Sequence, residues 1–283
     1  MTPVTVRDLV LAARGRLARA GIEPVEAAMD AELLAREVLG WDRARFLAHH
    51  TDRLETPDAD RISALIARRA RREPVSAIVG RREFRGLEFE VTRDVLTPRP
   101  ETEIVVDEAI ARAVAPRTVA DVGTGSGCLA ICLARALPAS RIVATDVSEA
   151  ALGVARRNAA RHGVLGQIEF RHASLLSGVA GPLDLVVSNP PYVPTGDIAS
   201  LPVEVRDFEP RQALDGGEDG LDLLRRLCRE SAGLLRPGGW AIVEFGFGQE
   251  TGVRAAVADA GLELAAIRLD LQGIPRTAVS RRR

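Results

Sequence analysis

Lysine is absent from this 283-residue chain: all 38 basic side chains are Arg, set against 39 acidic ones. The formal net charge of −1 leaves no overall field to draw the molecule onto a nucleic-acid backbone, so binding to a polyanion would need a local patch. Cysteine is scarce too. Three residues are too few for a disulfide framework, and Cys128 and Cys132, four apart in a helical pattern, read as small buried hydrophobes. The four histidines, at 49, 50, 162 and 172, lack partners at the spacing of a catalytic triad or a metal site, so no metal is expected. No apolar run approaches the roughly 18 residues of a membrane span, and Arg7, Asp8 and Arg14 stand where a signal peptide would need its apolar stretch. A cytoplasmic protein with no membrane segment is expected. What is present, 46% hydrophobic and 27% charged residues, is the composition of a folded globular chain. Its length allows two domains at about 150 residues each.

From Thr5 to about Arg72 apolar residues recur at helical spacing, with Val6, Leu9, Val10, Ala13 and Leu17 in one stripe and Leu33, Leu34 and Val38 in another. Pro24 suits a first helical turn, Gly40 a C-terminal cap, and Pro57 the opening of a further helix. Phe84, Phe89 and Val91 then alternate around Arg85-Gly86 as in a short hairpin. Beyond it, strand-like runs at Thr118–Val122, Arg141–Thr145, Leu183–Ser188 and Trp240–Phe245 alternate with helical ones, the pattern of βαβ units in a mostly parallel, doubly wound sheet. The reading is an α/β protein in three parts: a helical domain over residues 1–75, a hairpin linker over 76–95 and a Rossmann-like domain over 96–283.

Two motifs carry chemistry. The strand ending at Val122 runs into Gly123-Thr124-Gly125-Ser126-Gly127 and then into the helical run Cys128–Leu137. Glycines there permit a tight turn and a close backbone approach, and the helix start favours an anionic group. The next strand ends at Asp146, 19 residues past Gly127, where a carboxylate can accept hydrogen bonds from ribose hydroxyls. This half of the site fits a dinucleotide and S-adenosylmethionine equally well. The second motif separates them. Asn189-Pro190-Pro191-Tyr192 follows directly on the strand Leu183–Ser188, at the edge where such sheets bind ligands. The prolines fix φ and remove donors, leaving a stiff row of acceptors. The Asn189 side-chain oxygen and the Pro190 carbonyl can both accept from one NH₂ group, while Tyr192 offers a flat face to the planar group that carries it. Such a site grips an amide or an aromatic amine and aligns its nitrogen with a methyl donor, a term that can supply roughly 7–11 kcal/mol.

Asn189-Pro190-Pro191-Tyr192 is shared among amino-group methyltransferases. Three further segments narrow the resemblance: Leu96-Thr97-Pro98-Arg99-Pro100-Glu101-Thr102-Glu103; Glu209-Pro210 with Ala213-Leu214 and the Gly216 to Leu221 loop; and Glu244-Phe245-Gly246 with Gln249. Together they resemble the release factor glutamine methyltransferase family over most of the chain. That resemblance implies transfer of a methyl from S-adenosylmethionine, leaving S-adenosylhomocysteine, to the side-chain nitrogen of the glutamine in the Gly-Gly-Gln motif of class 1 release factors. It assigns Gly123, Thr124, Gly125, Ser126, Gly127, Asp146, Ser174 and Asn189 to the cofactor. Asn189, Pro190, Pro191 and Tyr192 go to the substrate glutamine, with Asn189, Pro190 and Tyr192 in catalysis. Ala173-Ser174 stands where the family usually has Asp and a bulky residue beside the adenine, and Ala77 where it commonly has Tyr.

Arg68, Arg69, Arg71, Arg72, Arg81, Arg82 and Arg85 crowd into 18 residues, either as a solvated face or as a docking surface for an acidic partner. A ribosomal-protein glutamine, or the exocyclic amine of adenine or guanine in a nucleic acid, would present the same planar NH₂. The small helical domain and the near-zero charge speak against a nucleic-acid enzyme, so a release factor, bound by a monomer without nucleic acid, is the expected partner.

Overall fold

The computed structural model describes residues 5–112 and 116–283, and these form two compact units. One holds the described residues up to Gly80 and the segment 202–208; the other holds the remaining described residues.

The first unit is built from α1 (Val6–Arg19), α2 (Pro24–Leu39), α3 (Arg43–His49), α4 (Thr56–Arg69) and α5 (Val75–Val79). Thr5 and Asp8 form a reciprocal capping box at the start of α1, and α2 begins on Pro24 and stops at Gly40 in the left-handed conformation. Val6, Val10, Ala13 and Leu17 are buried as the periodicity requires. In α2 the buried face is Ala27, Ala31, Leu34 and Ala35, whereas Leu33 is exposed. Leu33 was expected in the stripe. The α2 core face is narrow and alanine-rich, so the helix turns its smaller side chains inward.

The second unit opens with a hairpin, β1 (Arg81–Phe84) and β2 (Leu87–Glu90), whose two turn residues Arg85 and Gly86 both have positive φ. There follow α6 (Glu103–Arg112), β3 (Thr118–Val122), α7 (Cys128–Ala136), β4 (Arg141–Asp146), α8 (Glu149–Arg161), β5 (Ile168–His172) and β6 (Leu183–Ser188). The short α9 (Val203–Arg206) belongs to the first unit, and α10 (Asp222–Leu234), β7 (Leu235–Glu244), α11 (Glu250–Asp259), β8 (Leu262–Leu269) and β9 (Pro275–Arg282) complete the second. The seven-stranded sheet has the order β5-β4-β3-β6-β7-β9-β8, parallel up to β7 and antiparallel at β9 and β8.

Side chains alternate along β6: Leu185 and Val187 join the core that contains α6 and α7, and Val186 joins the one that contains α10 and α11. Both faces are covered, which is why these strands read as continuous apolar runs. Among the described residues no helix is long and apolar enough to cross a membrane.

Candidate active site

β3, β4 and β6 are neighbours in parallel register, so Gly123, Asp146 and Asn189, the residues that end or follow them, emerge at one edge of the sheet. The chain leaves β3 for β4 on one side and places β6 on the other, which opens a crevice between the strand ends. A cavity of about 410 Å³ lies there, lined among others by Gly123, Thr124, Gly125, Ser126, Asp146, Ser174, Asn189, Pro190 and Pro191. Gly127 and Tyr192 are not among its lining residues.

The glycine loop is braced from below. Asp121, fully buried in β3, accepts from the Thr124 hydroxyl at 2.6 Å and from the Ala130 amide at 3.0 Å. Burial pushes its carboxyl up to about 7, against the lowering effect of those two donors. Gly127 ends the loop at φ +84°, and a Cβ there would stand 3.1 Å from that of Ala155 in α8, so the turn admits no side chain. At Gly123 and Gly125, in contrast, the space where a Cβ would project is open. Asp146 closes the loop from the side. Its carboxylate accepts from the amides of Gly125 and Ser148, each at 2.9 Å, while burial raises its pKa.

The Asn189–Tyr192 ledge is fixed by its neighbours. The Val193 amide donates to Leu214 and the Gly216 amide to Val193, both at 2.9 Å, and Gln249 Nε2 donates to the Tyr192 carbonyl at 2.8 Å. Gly216 lies so close that a Cβ would meet the Pro191 carbonyl oxygen at 2.7 Å. The ring of Tyr192 packs beside Gly246, and burial, then Glu244, pushes its phenol up to about 12, so it stays neutral. The Asn189 amide nitrogen donates to Thr102 Oγ1 at 3.1 Å, and its Oδ1 is buried with no partner among the described residues. An orphaned acceptor at a cavity edge is a group in want of a donor.

Residues 8–80 match the PrmC N-terminal domain family and residues 102–202 the methyltransferase small domain family. A release factor glutamine methyltransferase from Cereibacter sphaeroides is 44% identical over 97% of this chain and 97% of its own length. One from Geobacter sulfurreducens is 43% identical over 87% of this chain and 85% of its own. The chain belongs to the release factor glutamine methyltransferase family. Among solved structures, a ribosomal protein L11 methylase from Lactobacillus delbrueckii subsp. bulgaricus is similar with a TM-score of 0.52 and 26% identity, over 68% of this chain and 84% of the other.

Membership makes the chain an S-adenosylmethionine-dependent methyltransferase, and its residues fit that cofactor. The open space at Gly123 and Gly125 is a cradle that any Cβ would fill, and Asp146 keeps lone pairs free beyond those used by the Gly125 and Ser148 amides. Ser174, at the rim, has Arg226 Nη2 at 3.5 Å from its hydroxyl.

Two features of the site escaped sequence reasoning. Thr102 and Glu244 stood only inside family signatures, 87 residues from Asn189 in the first case, and no local pattern relates them. Arg99 binds Glu209 through both carboxylate oxygens, at 2.7 and 2.6 Å, which joins two of those signatures at the cavity. The arginine cluster read from the sequence does not line the cavity. Arg68, Arg69, Arg72, Arg81 and Arg85 are all paired with carboxylates inside their own unit, and the seven divide between the two units. Internal pairing accounts for most of the charge that sequence reading assigned to a solvated face or a docking surface.

Proposed function

We propose that the chain methylates the side-chain nitrogen of the glutamine in the Gly-Gly-Gln motif of class 1 release factors, as a monomer, in the cytoplasm and without nucleic acid. The observation that carries this reading is the buried, unpartnered Asn189 Oδ1, held beside the cavity by Thr102. Family membership supplies the substrate class, since the relatives are named for release factor glutamine. The bound cofactor supplies an electrophilic methyl group.

Asn189 Oδ1 and the Pro190 carbonyl each accept one hydrogen of the substrate amide. The two acceptors hold the planar NH₂ in a fixed orientation, with its nitrogen facing the cavity, and Tyr192 backs the ledge as a neutral wall. The nitrogen lone pair is delocalised and weakly nucleophilic, so alignment rather than a general base supplies most of the rate. Gly123 to Gly127 and Asp146 hold the cofactor, with Ser174 at its adenine end.

Mass spectrometry of a class 1 release factor, incubated with the enzyme and isotope-labelled cofactor, tests the proposal. One methyl on the motif glutamine is expected. Labelling of a ribosomal protein or a nucleic acid in parallel reactions, with the release factor unlabelled, overturns it.

A further inference from the structure

The sequence of the ledge creates an anchoring problem. Pro190 and Pro191 carry no N–H, so the middle of Asn189–Tyr192 cannot tie itself to a neighbour by donating a backbone hydrogen bond. It must be held at its ends. At the start, β6 fixes it in the sheet, and Asn189 Nδ2 donates to Thr102 Oγ1 at 3.1 Å. At the far end, the peptide plane between Tyr192 and Val193 is held at both of its polar atoms. The Val193 amide donates to Leu214 at 2.9 Å, and the Tyr192 carbonyl accepts from Gln249 Nε2 at 2.8 Å.

Gln249 is half-buried and does not line the cavity, yet every polar atom of its amide is engaged. Oε1 accepts from the Gly246 amide at 2.8 Å, and Nε2 donates to the Tyr192 carbonyl and, at 3.2 Å, to the Asp219 carbonyl. This fixes which way round the amide sits. Carbonyls only accept and a backbone N–H only donates, so a turned amide would set Oε1 against two oxygens and Nε2 against a donor. One side chain thus joins three segments: the ledge after β6, the Gly216 to Leu221 loop before α10, and the turn after β7. The fit is tight. A Cβ on Gly220 would lie 2.2 Å from the Tyr192 carbonyl oxygen and 2.4 Å from Gln249 Nε2, and one on Gly246 would lie 2.9 Å from Gln249 Oε1.

We infer that Gln249 is a positioning residue for methyl transfer, whose amide pins the Tyr192 carbonyl and so holds the ledge where Asn189 Oδ1 and the Pro190 carbonyl can meet one substrate NH₂ together. The inference rests on the ledge being the acceptor proposed above. Without Gln249 the Tyr192–Val193 plane is held from one side only and can turn about the Val193–Leu214 bond. Misplacement of a reacting group by about 1 Å can cost on the order of 10²-fold in rate.

The test compares Gln249→Met with Gln249→Glu on the full chain, with a release factor as substrate and cofactor saturating, at about pH 8, where a half-buried glutamate is ionised. Met keeps the length and loses the donors. Glu keeps the shape and still accepts from Gly246, but turns a charged oxygen toward two carbonyls. Packing alone would therefore rank Glu above Met, and hydrogen bonding ranks Met above Glu. Turnover is expected to fall about tenfold in Gln249→Met and about a hundredfold in Gln249→Glu, with cofactor affinity and stoichiometry by calorimetry unchanged. Wild-type turnover in Gln249→Glu, or a Glu variant more active than the Met variant, overturns the inference. So does cofactor binding that is lost along with turnover in both variants, because Gln249 would then support the whole unit rather than the ledge. Asn189→Ala separates the two readings: if it is inactive while both Gln249 variants turn over like wild type, only the pin fails, and if it is fully active the acceptor reading itself fails.

Discussion

In the helical unit the half-buried Glu204 carboxylate is held by cations, whereas in the sheet unit Glu244 is fully buried with no ion pair among the described residues. Glu204 accepts from Arg69 Nη1 at 3.0 Å and from Arg72 Nε at 2.7 Å, and Arg69, 1% exposed, also holds Asp30 at 2.6 Å and Glu26 at 2.9 Å. Burial alone would raise Glu204, but its two arginines bring it down to about 2. Among the described residues Glu244 and Asp121 have no cation in hydrogen-bond contact, and burial drives both up to about 7. The contrast is between a charge locked on, which serves architecture, and charges that titrate near neutrality, which suit a site whose polarity matters to chemistry.

The largest expected effect is on the locked side. Arg69→Ala leaves three carboxylates facing one another, and removing one partner of a buried ionic cluster costs about 3–5 kcal/mol. Much of Glu26 is exposed, so the lower end applies. Hydrogen exchange should show residues 5–80 losing protection while β3 and β6 keep theirs. Equal loss in both units would break the comparison. Asn189→Ala is the converse experiment: turnover should fall by roughly 10²–10³, the scale of removing one preorganised group at a reacting centre, with little change in unfolding midpoint. Undiminished turnover would take Asn189 out of the mechanism.

The two regions were also unequally legible in the sequence. β3 and β6 were read with the boundaries they have in the structure, because strands buried on both faces leave unbroken apolar runs between a glycine loop and a proline ledge. β9 was not, since Pro275–Arg282 carries only four buried residues, Thr277 to Ser280, between flanking arginines and looks like a polar tail. β8 shares its weak pattern at the antiparallel edge. The site followed the same division. Asn189, Asp146 and the glycines lie in strand-end motifs, but Thr102 reaches Asn189 only through the fold. The Arg69–Glu204 pair, 135 residues apart, left no periodicity to find.

Opposite partners predict opposite pH signatures. Glu204, depressed to about 2 from the ordinary carboxylate value of 4.5, stabilises the fold above the unfolded pKa and loses that contribution as pH falls through its folded value. Glu244 is raised from 4.5 to about 7, so the folded state binds the extra proton. Its stability is complete below the unfolded pKa and is lost as pH rises toward neutrality, up to roughly 3 kcal/mol. Glu244→Gln should therefore unfold later than the wild type at pH 8 and similarly at pH 4. Chemical denaturation at both pH values measures this, and a wild type that is the more stable at pH 8 would contradict the assignment.

The smallest effect asks whether the site tolerates the helical unit's device. Ser174→Asp would set a carboxylate beside Arg226, whose Nη2 is already 3.5 Å from the serine hydroxyl, one residue past the position, Ala173, where the family resemblance leads one to expect Asp. The cation keeps such a carboxylate ionised and accepting, so it can take a hydrogen bond from the adenine amino group. A net hydrogen bond is worth about 0.5–1.5 kcal/mol, and the rim is exposed, so cofactor affinity should rise only a few-fold. Calorimetry decides between two meanings of the natural serine. Tighter binding makes it a specific weakening of adenine recognition in this chain, and weaker or unchanged binding removes Ser174 from the adenine site.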